Sequence, residues 1–86
     1  MVCLALTPPG LTDLTSAGRV DGLVIWVNAE VASPGELAAL RARGFDISEF
    51  MRIIDAADAN SLSQALDTIG EHHPGQRVWV EYGVDV

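Results

Sequence analysis

Residues 23–36 read LVIWVNAEVASPGE. The opening LVIWV is aliphatic, β-branched and aromatic, the composition of a pleated and buried surface. Residues 22–28, bounded by Gly22 and Asn28, are therefore predicted to be a strand. Ser33-Pro34-Gly35-Glu36 then sets serine at an N-cap, proline at the first helical position and glutamate at N3, which is a capping box. The helix it opens should run to about Arg43, with Leu37 and Leu40 on one side and Gly44 as a left-handed C-cap. A strand that feeds a capped helix marks an α/β chain.

The same logic extends in both directions. Residues 2–7 (VCLALT) read as a strand that Pro8-Pro9-Gly10 terminates, because proline cannot donate to a sheet ladder. Residues 8–21 mix turn formers with a few apolar residues, so a loop with one helical turn near Leu11–Ser16 is expected. Residues 49–54 should be a strand. Asp55, Asp58 and Ser61 are each competent to cap a second helix, in which Leu62, Ala65, Leu66 and Ile69 recur at helical spacing. Pro74-Gly75 ends that helix, and residues 77–82 (RVWVEY) are the last strand. The expected fold is an α/β two-layer sandwich of order ββαβαβ: a mostly parallel four-stranded sheet with two helices on one face.

Eighty-six residues make one domain, spanning 1–86. A chain this short buries only about 60–65% of its unfolded surface. A hydrophobic fraction of 49% excludes disorder. Cys3, the single cysteine, has no internal disulfide partner, which fits a reducing cytoplasm. The first ten residues lack the basic start and long apolar run of a signal peptide, and no stretch reaches the ~20 apolar residues of a membrane helix. Cytoplasmic localisation is expected. The formal charge of −7 arises from twelve acids against five basic residues, all of them arginine. Such a surface repels phosphate backbones and favours a basic partner. The absence of lysine removes Schiff-base chemistry. Arginine as the only basic residue, with many Ala, Gly and Val, suggests a bacterial genome rich in GC.

Two helices on one face of a parallel sheet leave the other face open. Alternation sorts the strand residues. Val2, Leu4 and Leu6 oppose Cys3, Ala5 and Thr7; Leu23, Ile25 and Val27 oppose Val24, Trp26 and Asn28; Met51 and Ile53 oppose Phe50, Arg52 and Ile54; Val78, Val80 and Tyr82 oppose Trp79 and Glu81. Taken together, these rows give one aliphatic face for the helices and a second that gathers Trp26, Trp79, Arg52, Phe50 and Val24. Tryptophan and arginine are enriched at interface centres. The leading expectation is thus a protein without enzymatic activity that works by protein–protein contact. It would use the Trp26/Trp79 face to pair with itself as a homodimer or to dock on a basic protein. In the competing reading, residues 8–21 fold across the tryptophans and bury them.

The remaining signals point to little chemistry. Glu30, Asp55 and Asp58 follow predicted strand ends and could hold Mg²⁺ or a small ligand for hydrolysis, as could Glu81, Tyr82 and Asp85; against this, Asp55 and Asp58 suit a helix N-terminus. The 28–36 corner has one glycine, no Gly-x-Gly-x-x-Gly and two glutamates, so it reads as a connection, not a phosphate site. His72 and His73 are neighbours that point about 100° apart in a helix and share no ligand-facing side. Cys3 reads as a small buried hydrophobe. No cofactor and no nucleic-acid partner are expected.

Overall fold

The computed structural model describes residues 1–16, 18, 20–55 and 57–81. Four strands, β1 (Val2–Ala5), β2 (Val24–Val27), β3 (Asp46–Glu49) and β4 (Val78–Val80), alternate with three helices, α1 (Pro8–Ser16), α2 (Pro34–Ala42) and α3 (Ala59–His72). The sheet order is β3-β2-β1-β4 and every described pairing is parallel. The expected class, an α/β fold on a mostly parallel four-stranded sheet, is therefore the one observed. Two helices do share a face, but they are α1 and α2, and α3 covers the other. The element order is βαβαβαβ, not ββαβαβ.

The extra helix comes from the residues expected to form a loop. Pro8 and Pro9 end β1 as anticipated, but they also open α1, because the first turn of a helix needs no backbone donors. The Thr7 hydroxyl accepts from the Gly10 N–H at 3.3 Å, and Leu11 N–H donates to the Thr7 carbonyl at 3.2 Å. Leu11 and Leu14 then face the sheet. The quoted stretch behaves as read: Ser33 and Glu36 form the reciprocal capping box, and α2 ends on Gly44 at φ 96°. An Ala there would be strained in the left-handed region.

β3 lies at Asp46–Glu49, upstream of the expected 49–54. The turn after α2 is so short that the strand begins at once, and Phe45 and Ile47 go beneath α1 and α2. Residues 50–54 leave the sheet, with Phe50 and Ile54 turned inward beneath α3 while Met51 and Ile53 are exposed. Asp58 caps α3 by accepting from Asn60 N–H at 2.9 Å, which resolves its start.

Right-handed crossovers explain the layers. The steps β1→β2→β3 run one way and place α1 and α2 on one face; the step β3→β4 returns past β1 and places α3 on the other. Each face has its own core. Ala5, Ile25, Val27 and Ile47 pack with Leu11 and Leu37. Val2, Leu4, Leu6 and Trp26 pack with Ala65 and Ile69. Asn28 pins the carboxyl edge. Although buried, it accepts from Ile54 N–H at 2.7 Å and donates to the Ile54 carbonyl at 2.9 Å, holding the 50–54 segment against β2.

Candidate functional site

The strand register separates the two tryptophans. Leu4 sits opposite both Trp26 and Val80, whereas Cys3 sits opposite Ile25 and Trp79. Trp26 thus points toward α3 and Trp79 toward the α1/α2 side. The alternation within each strand is as read, but β2 is offset by one residue against β1 and β4 relative to the expected layers, and such an offset sends a whole row to the opposite face. The shared Trp26/Trp79 face does not form. Trp26 is 8% exposed and Trp79 58%. What covers Trp26 is α3, not residues 8–21.

Trp26 closes the α3 core at its C-terminal end. Its ring lies 5.1 Å from Phe50 and 5.3 Å from His72, and His73 meets it edge-on at 6.1 Å. Such contacts suit aromatic packing geometry. Its indole Nε1 is buried and finds no acceptor among the described residues. Val24 joins the same layer, half-buried. Arg52 is exposed and donates to Gln64 Oε1 at 3.0 Å, and it follows β3, at the edge of the sheet opposite Trp79's strand. Of the five residues expected to form an interface, the α3 core absorbs Trp26, Phe50 and Val24, Arg52 lies on the surface, and Trp79 alone stands on an open flank of the sheet.

The acidic set disperses too. Asp58 caps α3 and Asp55 accepts from Ala57 N–H at 2.9 Å. Glu30 is an exposed turn residue at φ 66°. Among the described residues no three of His, Cys, Asp and Glu come together as a metal ion requires. Tyr82 and Asp85 lie outside the described residues.

The open flank is a cleft of about 320 Å³ beside β4, the edge strand next to β1. Trp79, Leu14, Cys3 and Val80 are among the residues that line it, and Asp13 and Glu81 bring carboxylates. Cys3 is 6% exposed, and burial pushes its thiol pKa above the ordinary 9.0, with the nearby N-terminal ammonium pulling weakly the other way. A thiol so held is a poor nucleophile.

Glu81 was visible only as one acid among many, yet its carboxylate is held by three donors at the β1–α1 turn. One carboxylate oxygen accepts from Leu6 N–H at 2.7 Å and Thr7 N–H at 2.9 Å; the other accepts from the Thr7 hydroxyl. The contact joins the exit of β4 to the β1–α1 turn, at the point where the strand order reverses. In open parallel sheets that reversal is the usual ligand crevice. Thr7-Pro8-Pro9-Gly10 carried the missed signal: threonine before proline is a helix start as well as a strand stop.

A scan against family models, a search of curated proteins and a search of solved structures each return no match.

Proposed function

We propose that this chain works by protein–protein contact, and that the β4 flank around Trp79 docks a basic segment of its partner. The observation that carries the reading is the exposure of Trp79, at 58%, on a part of the sheet that no described helix covers. A tryptophan left in water on a sheet edge is a characteristic anchor of interfaces. The rim supplies the partner's sign. Asp13 is exposed and lines the same cleft as Trp79, and the whole chain carries −7. A guanidinium laid on the Trp79 face, with a carboxylate at its edge, gains both a cation–π contact and an ion pair. Two copies of so acidic a chain repel one another, which favours a basic partner over a second copy.

The test follows the two indole N–H signals by NMR as a tryptophan-free, arginine-rich peptide is added. The Trp79 signal should move saturably, with an affinity that falls as salt rises and falls again in Asp13→Asn, while the buried Trp26 signal stays put. Equal small shifts over the whole acidic surface would refute a dedicated flank. A wild-type dimer in light scattering that Trp79→Glu converts to a folded monomer would instead assign the flank to self-association.

A further inference from the structure

We infer that the partner segment docked by this flank is an extended basic strand, which adds to the open edge of β4 by backbone hydrogen bonding and sets an arginine against Trp79. The inference rests on the docking reading above and adds to it the partner's conformation and side-chain pattern.

The register decides which backbone groups are open. Val2 N–H donates to the Arg77 carbonyl at 3.4 Å, and Glu81 N–H donates to the Leu4 carbonyl at 3.0 Å. In a parallel ladder the residues between them alternate: Trp79 turns its N–H and C=O toward β1, while Val78 and Val80 turn theirs outward. β4 is the last strand of the sheet, and no described residue pairs with that outer side.

The opposite edge of the sheet is covered. Phe50 N–H donates to the Val27 carbonyl at 2.9 Å, so by the same alternation Ile47 in β3 faces outward. Its carbonyl is taken by Arg41, which donates from Nε at 3.1 Å and from Nη2 at 2.9 Å. Asp46 and Glu49, both exposed, stand at the two ends of β3. Charges so placed keep other strands away. β4 is Val-Trp-Val and carries no charge.

Charge complementarity names the occupant. A strand bonded to Val78 and Val80 places one residue opposite Trp79 and on the same face. The cleft on that face carries the exposed Asp13, and the chain as a whole carries −7. An arginine there meets an indole in an acidic cleft. Its neighbours in the added strand fall on the α3 side, where Val78 and Val80 are half-buried against the core, and β-branched side chains suit that layer. The pattern read by this edge is therefore arginine alternating with an aliphatic residue.

The test adds the end-blocked peptide Arg-Val-Arg-Val-Arg to the wild-type chain and follows the Trp79 indole and the Val78 and Val80 amides by NMR. All three should respond together and saturably, with hydrogen exchange at the two valine amides slowed several-fold. Methylating the backbone nitrogens of the peptide's valines removes its donors to β4 and should weaken binding on the order of ten-fold or more. Methylating those of its arginines, which face away, should change binding little. If the indole responds while the valine amides do not, or if the two methylated peptides bind alike, the added strand is refuted and docking by side chains alone stands. If neither indole nor amides respond, both readings fall. A wild-type dimer in light scattering whose Val78 and Val80 amides are protected before any peptide is added would give the edge to a second copy and overturn the basic strand.

Discussion

Gly10→Ala should destabilise this protein, although the general rule says the reverse. Gly10 lies in the first turn of α1 with no positive φ. At such a site alanine normally stabilises a helix by about 0.5–1 kcal/mol through lost backbone freedom in the unfolded chain. Here the new methyl would occupy the space of the Glu81 carboxylate. The side chain can swing away, but only by giving up its bonds from Leu6 N–H, Thr7 N–H and the Thr7 hydroxyl. Hydrogen bonds to a charged acceptor are worth about 1.5–3 kcal/mol each, and the corner is only part-buried, so water recovers a share. Taking the loss as about 2–3 kcal/mol and subtracting the helix gain leaves a net cost of about 1–2 kcal/mol. For a domain of this size that lowers the melting temperature by roughly 5–15 °C.

A double-mutant cycle read by urea unfolding separates this account from a general loss of packing. With Glu81→Ala in the background the collision is gone, so Gly10→Ala should become stabilising by about 0.5–1 kcal/mol. The substitution changes sign between the two backgrounds. A Gly10→Ala that is neutral or stabilising in the wild type refutes the reasoning. So does one that costs the same in both backgrounds, since the penalty then has nothing to do with the carboxylate.

The two tryptophans should part company in the same assay. Trp26→Ala opens a cavity under α3 and should cost about 3–5 kcal/mol, close to the whole stability of so small a domain, whereas Trp79→Ala should stay within about 0.5 kcal/mol; equal losses would mean that the tryptophans share one environment after all. Asn28→Ala leaves the buried Ile54 N–H and carbonyl without partners and should cost about 2–4 kcal/mol in denaturant unfolding; a loss below about 0.5 kcal/mol would show that the bridge to the 50–54 segment is not structural. Cys3 sets an alkaline limit. Burial raises its folded pKa above the unfolded 9.0, so the folded chain holds the proton more tightly. The stability this confers is intact below about pH 9 and declines as pH rises from there toward the folded value. Melting curves between pH 8 and 10 should fall more steeply for the wild type than for Cys3→Ala, and identical slopes would exclude the thiol as the source.

Most elements were legible because their signals are local. The capping box at Ser33–Glu36 and the glycine stop at Gly44 each consist of a few adjacent residues, and both appear where they were read. The same is true of the apolar run in β2. β3 slipped because FDISEFMRII offers two apolar stretches, and only the short turn after Gly44 decides that the first enters the sheet. Pairing is not local at all. In β1 both rows, Val2/Leu4 and Cys3/Ala5, are buried and apolar, so neither strand says which of its rows joins Trp26. The expected tryptophan face failed on that single residue of offset.

The offset also determines what kind of site this sheet can present. β4 follows the return crossover, so it lies beyond β1 on a flank that α1 only borders. Trp79 and Glu81 are two residues apart and share that side of the strand. One is left in solvent, and the other reaches back to fill the amides at the helix start. Had Trp79 joined Trp26, the flank would have been one more core layer, and the corner would have lacked its carboxylate. The proposed docking surface and the Glu81 bridge to the helix start thus both follow from one register, Cys3 against Trp79. A deletion of one residue within residues 74–77 that shifts β4 by one position should therefore abolish the Trp79 response to a basic peptide and expose the Leu6 and Thr7 amides together; loss of one without the other would mean that register does not couple them.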